Sequence, residues 1–351
     1  MDQQELKSIE NFEFKLILEL LLKQQDLDTS QANGLMHATM TGQLSSVQIS
    51  AWLCSIRTKG ETATEIAQFA KVMRQQAVQL ELGDVDLIDT CGTGGDGSNL
   101  MNISTLSAIV LAAMGYKVAK HGNRSVSSSC GSADVLEYLN YNLEQNIESL
   151  KAQFEKSNFV FMFAPQFHPA MKYAGPVRKE LGVRTVFNIL GPLANPAKAN
   201  IHLLGVFSKE VMIVLAQSLQ KIGSHTALVV HSEDGLDEIS PLAKTNYILV
   251  NGENITEGII DPKPLKLEIK NLDEIQVSDK LDGLSKAKST LSGDLKAAVE
   301  TVALNVVACQ YLHDLKNDKT QLGLQKYIED NYLKVIKFIL LGKALEVSKT
   351  F

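Results

Sequence analysis

The sequence predicts an α/β protein with a small all-helical lobe and a larger α/β lobe built on a mostly parallel central sheet. Residues 1 to about 83 carry repeated helix-capping signals. From about residue 84, short apolar strands alternate with helices, a pattern typical of a parallel or mixed sheet. A glycine-rich loop at residues 92–97 follows a predicted strand and precedes a predicted helix, which is where open α/β folds bind ligands.

Four segments predict the helical lobe. Apolar residues recur at helical spacing between residues 13 and 23. In three later segments an N-cap residue is followed three positions on by Gln or Glu, and the pairs are Asp28 and Gln31, Ser45 and Gln48, and Thr62 and Glu65. These pairs predict helices near residues 29–41, 46–58 and 63–79. The apolar stripe of this lobe fits either internal packing or a dimer contact.

The larger lobe is predicted to contain six strands, at residues 85–89, 116–119, 159–163, 203–207, 227–231 and 247–250. A polar connection rich in Pro and Gly, residues 164–196, interrupts them and is expected to return to the helical lobe. We therefore predict a helical lobe of residues 1–83 joined by about 170–198, and an α/β lobe of residues 84–169 and 199–351.

The C-terminal third shows weaker patterns. Residues 262–281 are charged and are predicted to form a surface hairpin or loop. Residues 300–312 and 327–345 have helical apolar spacing and are predicted to close the fold.

Composition excludes several classes of protein. A formal net charge of −6 argues against binding nucleic acid through a broad basic surface. Four cysteines without C-x-x-C spacing indicate a reduced, cytoplasmic chain. The acidic N-terminus does not resemble a signal peptide, and no uncharged apolar run reaches the roughly 18 residues that a membrane helix needs.

The glycine loop predicts a phosphate site. Gly92, Gly94, Gly95 and Gly97 leave no Cβ to obstruct an anion, and a helix N-terminus follows them. The spacing also satisfies G-x-G-x-x-G, but the acidic residue that a dinucleotide site needs about twenty positions later is missing. No Gly-Lys-Ser/Thr closes the loop, so it does not match a P-loop either.

Three further clusters suggest chemistry. Residues 120–134 follow a predicted strand and combine Lys120 and Arg124 with several serine hydroxyls, so they can surround a polyphosphate. Arg178 offers a guanidinium fork for a carboxylate, although a position on a helix surface is equally consistent with the residues alone. The acidic run at residues 233–238 follows a strand and suits Mg²⁺, although an acidic surface turn would look the same.

The stretches Gly92-Thr93-Gly94-Gly95-Asp96-Gly97 and Lys120 to Ser128, Lys-His-Gly-Asn-Arg-Ser-Val-Ser-Ser, closely resemble those of the anthranilate phosphoribosyltransferases of tryptophan biosynthesis. The resemblance extends from the capped helices to about residue 240. It implies a fold of the type III phosphoribosyltransferase kind. A homodimer formed through the helical lobe is expected from the apolar stripe of that lobe. The resemblance also implies transfer of the 5-phosphoribosyl group from phosphoribosyl diphosphate (PRPP) to anthranilate, with release of diphosphate.

The same resemblance implies the site residues. Those for PRPP are Gly92, Gly95, Asp96, Leu100, Asn102, Ile103, Ser104, Thr105, Lys120, His121, Gly122, Asn123, Arg124, Ser125, Val126, Ser127, Ser128 and Ser132. Those for anthranilate are Gly92, Asn123, His168 and Arg178. Ser104, Asp237 and Glu238 are the implied ligands of two Mg²⁺ ions per active site. Lys120 is expected to stabilise the leaving group, and no catalytic base is assigned.

Two departures from the family pattern and two alternative functions accompany this hypothesis. Leu100 stands where the family usually has threonine, and Ser292-Gly293-Asp294 replaces a Gly-Pro-x-Arg-Asp run. We expect weaker PRPP binding at most from the first and altered local packing from the second. A pyrimidine nucleoside phosphorylase is disfavoured by Asn123 and Arg178. A non-catalytic relative that binds nucleic acid is disfavoured by the acidic net charge.

Overall fold

A computed structural model describes residues 12–124, 130–224 and 226–351. Its seven strands form one sheet, and they are β1 Ile88–Asp89, β2 Val118–Gly122, β3 Phe159–Phe163, β4 Ile201–Gly205, β5 Thr226–Ser232, β6 Thr245–Asn251 and β7 Asn254–Ile260. The spatial order is β3-β2-β1-β4-β5-β6-β7. Strands β1 to β5 pair in parallel, whereas β6 and β7 pair antiparallel.

The mostly parallel sheet and the separate helical bundle confirm the predicted fold class. Each of the six predicted strands is present, although β1 covers only the last two residues of the predicted 85–89. The seventh strand, β7, was not predicted. Its residues are mostly polar or exposed, so the apolar alternation that identifies a strand is missing there.

The N-terminal bundle contains α1 Phe14–Leu22, α2 Thr29–Met40, α3 Ser46–Lys59 and α4 Ala63–Gln76. All three predicted capping boxes are present, one at the start of each of α2, α3 and α4. Glu65 in the third box is fully buried. Its carboxylate also accepts a hydrogen bond from the Leu27 N–H at 2.9 Å and forms an ion pair with Lys59 at 3.0 Å. Local capping signals therefore set the helix starts of this lobe correctly.

The stretch predicted as a polar connection, residues 164–196, is largely helical. It contains α8 Ala164–Phe167, α9 Met171–Leu181 and α10 Phe187–Leu190. Helix α9 carries Pro176 in its interior and ends at Gly182 in the left-handed conformation. It packs on α2 and α3, and Phe187 at the start of α10 lies 6.2 Å from the ring of Trp52 on α3. The segment thus lies against the N-terminal bundle and the cleft at the same time.

The remaining helices surround the sheet. They are α5 Ile103–Ala113, α6 Ser132–Tyr138, α7 Ile147–Ser157, α11 Met212–Lys221, α12 Lys280–Leu291, α13 Lys296–Lys316, α14 Leu324–Leu340 and α15 Lys343–Ser348. Helix α13 lies at the centre of the C-terminal half and packs against α5, α14, β4 and β5. The helix predicted at residues 300–312 is part of α13. The helix predicted at residues 327–345 is present but divided, because Gly342 at φ 68° separates α14 from α15. No helix of the described residues is long and apolar enough to cross a membrane.

The segment predicted as a surface hairpin or loop, residues 262–281, is more deeply packed than expected. Ile269, Ile275 and Val277 are buried in the core beneath it. Gln276 also forms an isolated bridge with Leu100, and the last residues of the segment begin α12. The many charged residues of this segment predicted an exposed loop, so the burial of these three apolar residues was not expected.

Burial of His202 on β4 predicts a pH-dependent stability. Its Nε2 donates to the Ala199 carbonyl at 2.8 Å, and burial lowers the pKa of His202 from 6.5 to about 3. The unfolded chain therefore binds a proton below about pH 6.5 while the folded chain does not, so stability is lost as the pH falls. Relative to His202→Gln, which keeps a donor but cannot titrate, the wild-type free energy of unfolding should fall by about 1.4 kcal/mol per pH unit between roughly pH 6 and 4.

Urea denaturation of both proteins at pH 7, 6, 5 and 4 measures this difference. Because other titrating groups are common to the two proteins, their contributions cancel in the comparison. Parallel pH profiles would show that His202 titrates alike in the folded and unfolded chain.

Candidate active site

A cleft enclosing about 1250 Å³ opens at the carboxyl ends of the parallel strands. The glycine loop follows β1, Gly122 ends β2 and is followed by Asn123 and Arg124, and Gly205 ends β4 with Phe207 two residues later. Helix α9 lines the opposite wall with Arg178. The four clusters singled out in the sequence therefore meet in one cleft, although they span residues 90 to 238 of the chain.

The glycine loop is shaped by left-handed backbone. Gly94, Gly95 and Gly97 have φ values of 62°, 81° and 77°, which side-chain-bearing residues rarely adopt. The loop leads to Asn102, which caps α5 by accepting a hydrogen bond from the Thr105 N–H at 3.0 Å. The N-terminus of α5 and the adjacent loop amides thus face the cleft, which favours an anion there.

Lys120 is a buried cation of this wall. Its side chain is only 1% exposed, and its ammonium donates to the Thr90 carbonyl and hydroxyl at 3.3 and 3.2 Å and to the Ser104 hydroxyl at 3.2 Å. Asp89, fully buried behind it, provides the counter charge. Burial raises the pKa of Asp89 to about 6, and the Lys120 charge opposes that rise.

Asn195 holds this buried charge pair in place. Its amide donates to Asp89 at 2.7 Å and to the Ala119 carbonyl at 2.9 Å. Sequence reasoning missed both Thr90 and Asn195. Thr90 lies beside the glycine loop in the chain, which was the available signal, whereas nothing local marks Asn195 as a partner of a residue 106 positions away.

Three carboxylates form a compact acidic cluster beside the glycine loop, to which one of them belongs. One oxygen each of Asp96, Asp237 and Glu238 lies within 4.8 Å of the others. Burial, together with the charge of Asp96, raises the pKa of Asp237 to about 7, and burial together with Asp237 raises the pKa of Glu238 well above its usual value. Among the described residues, the buried Oδ2 of Asp96 has no hydrogen-bond partner. This donor set fits a hard divalent cation such as Mg²⁺.

Tertiary contacts fix the turn that carries Asp237 and Glu238. The Asn305 amide on α13 accepts from the Ile239 N–H at 3.1 Å and donates to the Ile239 carbonyl at 3.4 Å. Gly205 packs so closely that a Cβ there would lie 1.4 Å from the Asp237 carbonyl oxygen. The Gly94 N–H donates to Asp237 at 2.9 Å and so ties the glycine loop to the cluster. Neither Asn305 nor Gly205 carries a local sequence signal for this role.

The opposite wall is aromatic and positively charged. The Arg178 guanidinium lies 5.4 Å from the centre of the Phe187 ring and has no ion-pair partner among the described residues. Burial lowers the pKa of Arg178 from 12.5, but the group remains a cation at neutral pH. An anionic aromatic molecule would find both a charge partner and a flat apolar surface here.

Two buried histidines lie between the walls. The rings of His121 and His168 are 4.9 Å apart, and neither Nε2 has a partner within the described residues. Burial lowers the pKa of His121 to about 3 and that of His168 to about 4. Both rings are therefore neutral at physiological pH and add no charge to the cleft.

The other predicted site residues differ in how they are placed relative to the cleft. Ile103 and Thr105 are buried inside α5 rather than lining the cleft. Arg124 lines the cleft but forms a two-point ion pair with Glu137, at 2.6 and 2.7 Å. Ser104 lines the cleft, and its hydroxyl accepts a hydrogen bond from the Lys120 ammonium at 3.2 Å. The remaining predicted residues that line the cleft are Gly92, Gly95, Leu100, Asn102, Gly122, Asn123 and Ser132. The predicted Ser125, Val126, Ser127 and Ser128 lie outside the described residues.

The fold and this cleft define a glycosyltransferase of two parts. Residues 84–345 match the family described as "Glycosyl transferase family, a/b domain", and residues 15–77 match "Glycosyl transferase family, helical bundle domain". Among curated relatives, the anthranilate phosphoribosyltransferases of Hydrogenovibrio crunogenus and Nitrosomonas europaea are each 46% identical to this chain. Each alignment covers 84% of this chain and 87% of the relative.

Solved structures agree with the sequence relatives. The anthranilate phosphoribosyltransferase from Thermus thermophilus superimposes with a TM-score of 0.85 at 36% identity, covering 95% of this chain and 97% of that one. The Saccharomyces cerevisiae enzyme in complex with PRPP and Mg has a TM-score of 0.82 at 25% identity, covering 96% of each chain. The chain belongs to the anthranilate phosphoribosyltransferase family.

Proposed function

We propose that this protein transfers the 5-phosphoribosyl group of PRPP to the amine of anthranilate, a step of tryptophan biosynthesis. One observation carries the proposal: a single cleft holds a phosphate-binding loop and an acidic cluster on one wall, and on the other the guanidinium of Arg178, which has no ion-pair partner among the described residues. A donor with a diphosphate and an acceptor with a carboxylate would each find its complement. The family relationship of the whole chain supports the same pair of substrates.

The diphosphate would lie against the glycine loop and the start of α5. Loop amides and the ammonium of Lys120 are preorganised there, because Lys120 is already held by Thr90 and Ser104. Preorganised donors stabilise charge that develops in the transition state without a cost of reorientation. Lys120 would thus stabilise the leaving diphosphate.

Mg²⁺ would be held by Asp237 and Glu238, with Asp96 as a third carboxylate. The yeast relative is described with PRPP and Mg. Bound Mg²⁺ neutralises phosphate charge and links the donor to the protein. We propose two ions per site, with the Ser104 hydroxyl as a further ligand on the diphosphate side, since that hydroxyl lies 3.2 Å from the Lys120 ammonium.

Anthranilate would bind with its carboxylate at Arg178 and its ring near Phe187 and His168. A variant of the yeast relative at 26% identity is described in complex with 4-fluoroanthranilate. Asn123 and Gly92 line the cleft between the two walls and would contact the amine side of the ring. Orienting the amine towards C1 of the ribose contributes to catalysis by positioning.

The reaction is balanced without a strong base. The bond between C1 of the ribose and the diphosphate oxygen breaks, and its electron pair leaves with diphosphate. The nitrogen lone pair of anthranilate forms the new bond to C1, and one proton leaves the amine. Because an aromatic amine arrives uncharged, no group has to remove a proton before attack.

The experiment that tests the proposal follows the fluorescence of anthranilate. With PRPP and Mg²⁺ present, fluorescence should fall in proportion to enzyme, and it should not fall when either is omitted. A parallel assay offers thymidine and inorganic phosphate, because the nucleoside phosphorylases share the general fold. Cleavage of thymidine without consumption of anthranilate would replace this proposal with the phosphorylase alternative.

The protein's organisation is also proposed. We propose that residues 1–83 and about 170–198 form one lobe and residues 84–169 and 199–351 the other, since α9 packs on α2 and α3.

Exposed apolar side chains on α1 and α3, Leu16, Leu22 and Val47, support a homodimer formed through the helical lobe. Sedimentation equilibrium would then give twice the 38.4 kDa chain mass, whereas the chain mass itself would refute the dimer. Four free cysteines support a reducing, cytoplasmic setting.

A further inference from the structure

Arg184 connects three parts of the molecule, although neither the sequence patterns nor the family resemblance assigned it a role. It lies in the turn between α9 and α10 and lines the cleft. Its guanidinium lies over the ring of Phe207, with the central carbon 4.0 Å from the ring centre. The same guanidinium donates a hydrogen bond to the carbonyl of Gly95 in the glycine loop.

The main chain of Arg184 makes the third connection. Arg57, near the end of α3, donates from its guanidinium to the Arg184 carbonyl. The N-terminal bundle is therefore joined to the glycine loop through one residue. We call this arrangement of Arg57, Arg184, Phe207 and Gly95 the arginine latch.

Two contacts anchor the glycine loop on either side of Gly94, and the Gly94 N–H itself donates to Asp237. At one point the Thr93 N–H donates to the Gly205 carbonyl at 2.9 Å. At the other, the Gly95 carbonyl accepts from Arg184. Between the anchors the Gly94 N–H faces Asp237, and directly after the second anchor comes Asp96 of the acidic cluster.

The hydrogen bond from Arg184 to Gly95 is needed to order the loop, because the glycine backbone is flexible by itself. Gly94, Gly95 and Gly97 all have positive φ, and glycine loses the most conformational freedom when it is ordered. Arg184 has no ion-pair partner among the described residues, so its planar fork is free to serve both the Phe207 ring and Gly95. A lysine could keep the charge but not both contacts at once.

We propose that Arg184 is a positioning residue, which through Gly95 fixes the glycine loop so that Asp96 and the Gly94 amide are set for the metal-bound diphosphate. The effect on catalysis rests on the proposed function, whereas the effect on the loop does not. Arg184 acts on the donor side of the cleft and leaves the Arg178 wall unchanged.

Steady-state kinetics of Arg184→Met and Arg184→Lys test the catalytic part. Loss of a hydrogen bond from a charged donor should raise the KM for PRPP and the half-saturating Mg²⁺ concentration about tenfold in both variants. The KM for anthranilate should change less than about twofold. Equal changes in both KM values, or full activity of Arg184→Lys, would overturn the proposal, since the first indicates general damage and the second a role for charge alone.

Hydrogen–deuterium exchange of residues 92–99 in the substrate-free proteins tests the loop itself. Exchange there should be at least about tenfold faster in both variants than in the wild type, while exchange in α13 stays the same. Absence of phosphoribosyl transfer by the wild type, together with faster exchange of residues 92–99 in the variants than in the wild type, would refute the proposed function and support the arginine latch. Unchanged exchange in the loop overturns the latch, whatever the activity. Arg184→Lys supplies the result if Arg184→Met does not fold.

Discussion

Replacing Asp237 with Asn and Glu238 with Gln together should lower kcat/KM for PRPP by about 10³-fold or more. Two of the three carboxylates of the acidic cluster lose their charge, while side-chain volume is almost unchanged. Burial raises the pKa of Asp237 and the charge of Asp96 adds to that rise, so the charged carboxylates destabilise the fold when no cation lies between them. The double variant should therefore fold at least as stably as the wild type and still fail to use Mg²⁺.

A Mg²⁺ titration of PRPP turnover, together with a urea denaturation curve, measures both expectations. Glu233→Gln is the matched control, because Glu233 is an exposed carboxylate of the same turn and lies outside the cluster. Its Mg²⁺ titration should match that of the wild type. An unchanged titration in the double variant would rule out this cluster as the metal site.

Replacing Arg178 with Ala should lower kcat/KM for anthranilate by about 100-fold and change the KM for PRPP little. A charge-assisted pair with a carboxylate contributes about 1.5–3 kcal/mol, and no other cation of the described residues is stacked on Phe187 to replace it. Arg178→Lys should recover only part of the loss, because an ammonium cannot form the two-point contact.

Kinetics with each substrate varied separately distinguish these effects. Glu180→Gln is the control, since Glu180 is exposed on the same helix, two residues from Arg178. Equal rises in both KM values for Arg178→Ala would indicate a disturbed cleft rather than a lost carboxylate contact.

Local signals predicted most of the helical lobe and the sheet. The three capping boxes are satisfied within four residues of chain, so tertiary structure had nothing to override. Strands β3, β4 and β5 are almost entirely buried and mostly apolar, because both faces of a parallel sheet are covered. The sequence could not show β7, whose exposed, polar residues have no apolar face.

Site residues could be predicted where they belong to a recognisable motif within one short segment of the chain. The glycine loop and the start of α5 are read from adjacent residues, as are Lys120 and the pair Asp237 and Glu238. Contacts between distant segments were not predictable: Asn195 with Asp89, Asn305 with Ile239, and Arg184 with Gly95 are separated by 106, 66 and 89 positions. These contacts determine the distances within the site, which composition and spacing do not encode.

The central claim is that one cleft joins the two substrates, and product analysis of a single reaction tests it most directly. Wild-type protein with PRPP, anthranilate and Mg²⁺ should form phosphoribosylated anthranilate and diphosphate in a 1:1 ratio, measured by mass spectrometry and a diphosphate assay. The Asp237→Asn, Glu238→Gln double variant should form neither. Release of diphosphate without a phosphoribosylated anthranilate, or no consumption of PRPP at all by the wild type, would contradict the account.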